Sequence, residues 1–332
     1  MQTVGADEVT ALTRVARAAS DVLAPAARAE QVLAELQGLV PFVCAQLTGW
    51  DPVEGRHSTV ASQGYAEPLL QHLSGPIFES ELKQLDMLRT RRPMRMRDLP
   101  GDPGDVLTVS EVLLPAGFRE GLTMCLFTRF GVFTGILNLS TDDRRYPGDR
   151  ARDAIAALNE TLANVVDITQ SCRTLASLLD PGTPALALAA DGTPVQLAGS
   201  ERSPALVEGS PLLGVLAGQV PTDGHERRFL WPDGENGWYR VRIVPCLDEA
   251  GGRSLALVTV RACDHVLGLT RREIEVLTHL AGGASNPAIA RVLHVSPRTV
   301  ATHVEHILQK LDVSTRAAAA GRAVREALLL PV

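Results

Sequence analysis

Hydrophobic spacing along the first third of the chain alternates between helical and strand-like periods. Residues 7–39 carry apolar side chains three or four positions apart, and Pro25 interrupts them, so the pattern predicts two helices. Runs 43–50 and 58–62 have strand-like composition, and the turn-forming residues 51–55 separate them. This segment is therefore predicted to be two helices followed by a hairpin.

The pattern continues with a second helical region and a second pair of strands. Residues 69–90 have helical spacing, residues 99–105 form a loop rich in proline, glycine and aspartate, and runs 121–130 and 132–140 are strand-like. A long helix is predicted over 149–179. Helices and antiparallel hairpins in this order indicate an α+β sensor module.

One side of the predicted long helix carries Ile155, Leu158, Leu162 and Val165. The helix would join the sensor to the next domain, so it is the natural transmitter of a signal. Its apolar stripe fits two interpretations, a seam between two copies of the chain or packing on the helix's own sheet.

The closing strands of this region resemble a known family. GLTMCLF at residues 121–127, GILNLS at 135–140 and the helix that follows are similar to the second half of a GAF domain, over about residues 11–168. The resemblance implies a small-molecule pocket between the sheet and a covering loop near residues 100–115. Candidate lining residues are Phe78, Met94, Met96, Phe118 and Met124. Simple core packing is the alternative for each of them.

A second β-rich segment begins after residue 181. Five strand-like runs are predicted, at 185–190, 195–197, 227–231, 238–245 and 255–261, with turns at 191–192 and 248–252. Residues 181–263 resemble a small PAS-like domain. An extension of the first domain's β structure is the alternative.

The last part of the chain carries helix-start signals at close intervals. Thr270 and Glu273 fit a capping box, Asn286 before Pro287 is an N-cap signal, and Ser296 is a third start after a three-residue turn. Two helices joined by so short a turn form a helix-turn-helix unit.

The third helix of this segment, residues 297–311, has one apolar face and one mixed polar face. Such a polar face can enter the major groove of DNA, although an ordinary three-helix unit with a solvated face has the same pattern. The candidate DNA-contacting residues are Asn286, Ser296, Arg298, Thr299, Ala301, Thr302, His303, Glu305, His306 and Lys310.

A resemblance to the LuxR/FixJ family decides between these two interpretations. LTRREIEVL at residues 269–277 and AGGASN at 281–286 are similar to that family's pattern, as are the spaced apolar positions up to Leu311. The resemblance implies a four-helix DNA-binding domain whose third helix reads DNA and whose fourth, about 314–330, dimerises. The implied dimer residues are Ala317, Ala320, Val324 and Leu328.

Two residues depart from the family's usual pattern. Ala301 stands where a lysine is common and can contact only a thymine methyl, and Glu305 repels phosphates while accepting from cytosine N4. The sequence therefore predicts weak, salt-sensitive DNA binding that depends on dimerisation.

Length and charge distribution agree with a modular regulator. At 332 residues the chain exceeds one ordinary core, and its net charge is −6. From residue 268 onward there are eight Lys/Arg and five Asp/Glu, a net +3, which leaves −9 for the rest. We predict a multidomain α+β protein: a GAF-like α/β sensor (1–180), a small PAS-like β-rich domain (181–263) and an all-α four-helix LuxR-type domain (266–332).

Other kinds of site find little support in the sequence. The five cysteines are widely spaced without a C-x-x-C pair, which favours buried thiols, Cys44 and Cys125 included, over disulfides, redox sensing or zinc. His57 and His72 lack partners at metal-ligand spacing, so surface or capping roles are expected.

No catalytic motif, cofactor site, signal peptide or membrane span is evident, and a phosphoacceptor receiver domain does not fit the hairpins. We therefore expect a cytoplasmic, non-enzymatic homodimer without a cofactor. Its expected partner is double-stranded DNA, with RNA polymerase and a small ligand as further candidates. A regulator controlled only by a protein partner or by abundance is the alternative, and an enzyme domain fused to a DNA module is a remote one.

Overall fold

The computed structural model describes residues 6–21, 23–221, 224–234, 237–246, 255–264 and 266–331. The described residues divide into two compact units, one ending at Arg173 and one starting at Thr174. The middle β-rich segment and the C-terminal helices lie together in the second unit. The predicted turn at 248–252 lies outside the described residues, and the three-domain boundaries stay a prediction.

The first unit is built on a five-stranded antiparallel sheet. Its strands are β1 (Cys44–Asp51), β2 (Arg56–Gln63), β3 (Met94–Arg95), β4 (Glu120–Phe127) and β5 (Phe133–Thr141). They lie in the order β2-β1-β5-β4-β3. Both predicted hairpins are present, and the first is closed by Asp51, whose Oδ1 accepts hydrogen bonds from the amides of Val53 at 2.9 Å and Glu54 at 3.1 Å.

Helices cover both faces of this sheet. The helices are α1 (Ala6–Ser20), α2 (Pro25–Leu36), α3 (Glu67–Leu73), α4 (Pro76–Gln84), α5 (Met87–Thr90), α6 (Asp149–Ala157) and α7 (Asn159–Val166). Residues of α1, α2, α6 and α7 pack with Leu47 and Leu137 in one apolar core. Residues of α3, α4 and α5 pack with Cys125 and Ile136 in the other. Strands β1, β4 and β5 are therefore buried on both sides, whereas β2 at the edge is largely exposed.

The single long helix predicted over residues 149–179 is wrong. The segment consists of α6, α7 and α8 (Gln170–Ser177), and Asp167 between the last two has extended backbone at ψ 107°. The Asp167 side chain accepts the amide of Thr169 at 2.8 Å, which starts a new turn instead of continuing the helix. Aspartate competes with helix continuation through such local bonds, and the hydrophobic period alone does not show it.

The apolar stripe of this segment packs on its own sheet. Ile155 and Leu162 are 0% exposed, and Leu158 and Val165 are 5% and 4% exposed. All four belong to the apolar core that α1, α2, α6 and α7 form against one face of the first sheet. In this structure the stripe is therefore not available as a seam between copies.

The second unit contains a separate five-stranded antiparallel sheet. Its strands are β6 (Ala185–Ala189), β7 (Pro194–Gln196), β8 (Arg227–Asp233), β9 (Gly237–Cys246) and β10 (Leu255–Cys263). Their order, β7-β6-β10-β9-β8, repeats the order of the first sheet. Helix α9 (Pro211–Leu216) packs on the face of the second sheet that carries Phe229 and Val258, here called the inner face. These strands are thus not an extension of the first sheet, and the PAS-like assignment stays a prediction.

Four helices complete the chain: α10 (Arg271–Ala281), α11 (Asn286–Val292), α12 (Pro297–Lys310) and α13 (Arg316–Arg325). Their apolar faces form one core around Ile274, Leu277 and Ile307. The fourth helix ends at Arg325, earlier than predicted, and Ala327 has a left-handed φ of 54°. Among the described residues no helix is long and apolar enough to cross a membrane.

Candidate nucleic-acid interface

A tight turn positions α12 after α11. His294 has a φ of 54°, and the amide of Val295 donates to the carbonyl oxygen of Ala290 at 3.0 Å. The Ser296 hydroxyl then accepts the Thr299 amide at 3.0 Å, the N-cap that the sequence predicted. The turn and cap together fix the direction in which α12 leaves α11.

The inner face of α12 anchors it to the domain. Val300 and Ile307 are 0% exposed, as is Leu311 just beyond the helix, and Val304 is half-buried. Because these positions are three or four apart, the opposite side of the helix is turned away from the core. The periodicity predicted this arrangement.

The outer face of α12 carries most of the predicted DNA-contacting side chains. Arg298, Thr302 and Glu305 are exposed, and Ala301 is partly buried between them. Exposed as well are Ser296, Thr299 and His306, while His303 is partly buried. A cation, hydroxyls, a carboxylate and a methyl group together offer donors, acceptors and an apolar contact to the edges of bases.

Lys310 forms an ion pair within the domain. Its Nζ lies 2.7 Å from Oε2 of Glu273, whose side chain is only 3% exposed. The same carboxylate accepts the Thr270 amide at 2.7 Å and completes the predicted capping box of α10. Burial acts to raise the pKa of Glu273, but the bonds from Lys310 and Thr270 outweigh it and lower the pKa below its ordinary value.

Asn286 also has a structural role. The N-cap of α11 is Ser285, whose hydroxyl accepts the Ala288 amide at 3.4 Å, so the predicted cap is wrong by one residue. Asn286 Oδ1 accepts a hydrogen bond from Arg316 at 3.1 Å, which joins the start of α11 to α13. Two residues that can cap a helix stand side by side here: Ser285 caps α11, and Asn286 binds Arg316.

Most of the basic side chains of the four helices hold the domain together. Five of the eight make ion pairs or hydrogen bonds within it: Arg271, Arg272, Lys310, Arg316 and Arg322. Within the described part of the chain, the structure shows no such contact for Arg291, Arg298 and Arg325. Arg291, exposed in the last turn of α11, is a candidate phosphate contact that sequence reasoning missed. A basic residue at the end of the helix before the turn was the available signal.

The candidate dimer residues on α13 divide into two groups. Val324 is 62% exposed, Ala317 is exposed and Ala320 is partly buried, so the three can form one accessible stripe. Leu328 is 0% exposed and belongs to the core, so in this structure it is not part of a dimer surface. The helix ends before this position, which removes Leu328 from the stripe that an uninterrupted helix would have extended.

The first unit contains a cavity of about 60 Å³ on the face covered by α4 and α5. Phe78, Met94 and Met96 line it, but Phe118 and Met124 do not. Val106, Thr108, Val109 and Leu113, from the predicted covering loop, line it as well. Met124 lies in the core on the opposite face of the sheet, because alternate strand residues point in opposite directions.

The polar groups around this cavity are hydrogen-bonded to one another. Thr123 Oγ1 donates to Asn138 Oδ1 at 2.9 Å, and Glu81 Oε1 accepts the Thr108 amide at 3.0 Å. The Tyr65 and Ser140 hydroxyls are 2.6 Å apart. These bonds fix the positions of the groups, and their oxygens keep lone pairs that can accept from a small polar ligand.

The singled-out cysteines and histidines do not form a reactive centre. Burial raises the pKa of the Cys44 thiol, and that of Cys125 to about 12, so both stay protonated at neutral pH. His57 is buried, contrary to the expected surface role, and burial lowers its pKa to about 4. His72 Nε2 lies 2.7 Å from Thr108 Oγ1. The described residues contain no cluster of His, Cys, Asp and Glu suited to a metal.

Comparison with known proteins identifies the C-terminal helices. Residues 267–323 match the family model of bacterial regulatory proteins, luxR family. The chain is 54% identical over 101 residues to a probable transcriptional regulatory protein NarL of Mycobacterium tuberculosis, which covers 27% of this chain and 47% of the relative. It is 51% identical over 51 residues to the nitrate/nitrite response regulator protein NarP of Escherichia coli, covering 15% and 24%. The chain thus spans less than half the length of these curated relatives.

Similar solved structures include GAF domains. One is the GAF domain of a phosphoenolpyruvate-protein phosphotransferase of Coxiella burnetii, with a TM-score of 0.39 and 16% identity, covering 52% of this chain and 98% of that one. Another is a phycoerythrobilin-bound GAF domain of a cyanobacterial phytochrome, with a TM-score of 0.38 and 16% identity, covering 49% and 95%. Similarity at this level supports no argument about ligands. The match to the C-terminal helices, in contrast, identifies a domain. Residues 267–323 are a helix-turn-helix DNA-binding domain of the luxR family of bacterial regulatory proteins.

Proposed function

We propose that this chain regulates transcription as a dimer that binds specific DNA sequences, with α12 in the major groove. The observation that carries the proposal is the exposed polar face of α12, opposite the buried Val300 and Ile307, within the domain that matches the luxR family. A helix presented in this way can place three or four side chains against the edges of bases.

The exposed residues suggest a division of contacts. Arg298, Ala301, Thr302 and Glu305 share the outer face of α12 and are proposed to read bases. Thr299, His303 and His306 flank them and are proposed to contact phosphates, together with Ser296 and Arg291. Asn286 and Lys310 are proposed to support the domain from within. The stripe of Ala317, Ala320 and Val324 is proposed to pair two copies.

The first experiment selects bound sequences from a random double-stranded DNA library with the full-length protein at two salt concentrations. We expect an inverted repeat whose half-sites lie about one helical turn, ~34 Å, apart. Arg298→Ala should lower affinity and relax the base preference at the position that it reads, and Arg291→Ala, at a proposed phosphate contact, should reduce the slope of log affinity against log salt by about 1. Arg150→Ala, an exposed arginine of the first unit, is the matched control. Absence of any enriched sequence at low salt would overturn the proposal.

Affinity is proposed to depend on dimerisation. Only a few cations on the domain are free of internal contacts, and Glu305 opposes them, so one copy makes few phosphate contacts. Val324→Asp, which places a charge in the proposed dimer stripe, should weaken binding to the inverted repeat. Tight binding by a monomer at physiological salt would contradict this part of the proposal.

Gating by a small ligand is a second proposal, supported by the cavity of about 60 Å³ in the first unit. This volume is far below the ~300 Å³ of typical ligand pockets, so the proposed ligand has only a few heavy atoms unless the covering segment moves. Thermal unfolding in the presence of a panel of small metabolites tests it, because a ligand that binds the folded state raises its stability. If none does so, control by a protein partner or by abundance is the better account. Recruitment of RNA polymerase stays a prediction.

A further inference from the structure

The chain beyond α13 lies between the DNA-binding helices and the second sheet. The amide of Leu230 in β8 donates to the carbonyl oxygen of Leu329 at 2.7 Å. On the other side, the amide of Leu330 donates to Oγ1 of Thr278 on α10 at 3.1 Å. Residues 326–331, here called the tail, thus bond to a strand on one side and to a helix on the other.

The strand that the tail contacts is an edge strand. In the order β7-β6-β10-β9-β8, β8 has a neighbour on one side only. An unpaired edge presents backbone amides that need a partner, and proteins usually cover such edges. The hydrogen bond from Leu230 shows that this chain uses its own tail for that purpose.

Two side chains of the second sheet belong to the core of the DNA-binding domain. Leu230 and Trp238 are 0% and 6% exposed, and both are in the cluster that contains Ile274, Ala323 and Leu328. The neighbouring Phe229 packs instead in the core on the inner face. Because successive side chains of β8 point to opposite faces of the sheet, the face that carries Leu230, here called the outer face, packs against the DNA-binding helices.

An arginine of β9 reinforces this contact electrostatically. Arg240, opposite Leu230 in the β8–β9 pairing, donates from Nη1 to the carbonyl oxygen of Glu326 at 3.1 Å. Glu326 is the C-cap of α13, where unpaired carbonyls carry partial negative charge. A guanidinium is the favoured partner for such a helix end.

We propose that the outer face of β8 and β9 is a docking surface for this chain's own tail and helices α10 and α13, so that the second sheet and the DNA-binding domain form one rigid body. Arg298, Thr302 and Glu305 stay exposed in this arrangement, and so does Val324. The docking therefore holds the recognition helix in place and does not block it.

The test uses full-length protein with Trp50→Phe and Trp231→Phe, so that Trp238 is the remaining tryptophan. Removal of residues 328–332 should shift Trp238 emission to longer wavelength and speed hydrogen exchange at the Leu230 amide at least roughly tenfold. Far-UV circular dichroism should show that most of the helical signal stays. Unchanged emission and exchange would overturn the proposal.

A milder variant keeps the tail and so separates docking from folding of the domain. Arg240→Ala should also speed exchange at the Leu230 amide, by roughly threefold or more. Arg242→Ala is the matched control, since Arg242 lies two residues along β9 and pairs with Glu226 at 2.8 Å instead of with the tail. Equal effects of the two variants would contradict the docking surface.

A tail supplied by a second copy is the remaining competing arrangement. Protection of the Leu230 amide would then fall on dilution, whereas the proposed docking within one chain is independent of concentration. No DNA is needed for these measurements, so the inference fails or stands separately from the proposed function.

Discussion

Glu273 shows how one buried carboxylate can organise the DNA-binding domain. It caps α10 through Thr270 and receives Lys310 from the end of α12 at 2.7 Å. Sequence analysis identified the capping box, because its partners are three residues apart. It assigned Lys310 to DNA, because a lysine on a polar face looks the same whether or not a carboxylate lies beneath it.

This geometry predicts how stability depends on pH. The pKa of Glu273 is lower in the folded state than its ordinary value of 4.5. Its stabilising contribution is therefore complete well above pH 4.5 and is lost as pH falls through 4.5 towards the lower folded value. Glu273→Gln should reduce the free energy of unfolding by about 1 to 2 kcal/mol at pH 7, because Lys310 is partly exposed and solvent screens the pair.

Urea unfolding of the wild type and Glu273→Gln between pH 7 and pH 3 measures this difference. The difference between the two proteins should shrink at the acid end. Glu275→Gln on the same helix is the control, because Glu275 is more exposed and pairs with Arg272 at 2.7 Å. A Glu273→Gln effect of constant size across this range would show that the carboxylate's charge is not the cause.

Gly135 is required by a close approach between strands. A Cβ at this position would lie 1.9 Å from the carbonyl oxygen of Thr48 and 2.9 Å from Cγ2 of Val166. Gly135→Ala should therefore destabilise the first unit by roughly 3 kcal/mol or more, measured by calorimetry. Gly214→Ala is the matched control: it lies in α9 with nothing within 4 Å of the added atom and should be neutral or stabilising by about 0.5 to 1 kcal/mol. Similar losses for both would contradict the steric explanation.

At the scale of elements, α12 is the clearest case of a local pattern that determines a surface. Ser296 starts the helix, and Val300 and Ile307 orient it, so its polar face could be predicted from short-range spacing. The charge of that face is mixed, since Glu305 lies with Arg298 among the residues proposed to read bases.

Glu305→Gln should raise affinity for non-specific DNA by roughly three- to tenfold at low salt, because it removes a negative charge from the face that is proposed to enter the major groove of a polyanion. Fluorescence anisotropy with a labelled duplex at two salt concentrations measures this. Glu160→Gln, an exposed residue of the first unit, changes net charge equally and is the control. If both substitutions raise affinity by the same factor, Glu305 is not at the interface.

Elements whose ends depend on distant contacts were harder to predict. Residues 149–179 have a continuous apolar stripe, and the structure still divides them at Leu158 and Asp167. The fourth helix ends at Arg325: Ala327 has a left-handed φ of 54° and the Leu328 amide donates back to the carbonyl oxygen of Ala323 at 2.9 Å, after which Leu329 and Leu330 bond to β8 and α10. The hydrophobic period indicates which side chains become buried, but it does not indicate which backbone groups form hydrogen bonds with distant parts of the chain.

At the scale of the whole molecule, two compact units predict two unfolding transitions. Gly135→Ala should lower the midpoint of one transition, and Glu273→Gln should lower that of the other. Differential scanning calorimetry of each variant and of the double variant measures this, and the double variant should show both shifts, each as large as in the single variant. A single transition that both substitutions move would contradict independent folding of the units.

The sequence by itself determined the helix-turn-helix domain, the exposed polar face of α12 and the strands of both sheets except the two-residue β3. Those features follow from caps, turns and periodic burial, which involve residues a few positions apart. Only the tertiary structure decided that Lys310 binds Glu273, that His57 is buried, that Leu328 leaves the dimer stripe and that Leu230 and Trp238 complete the helical core. These depend on contacts between residues far apart in the chain, and the same local pattern is compatible with several such contacts.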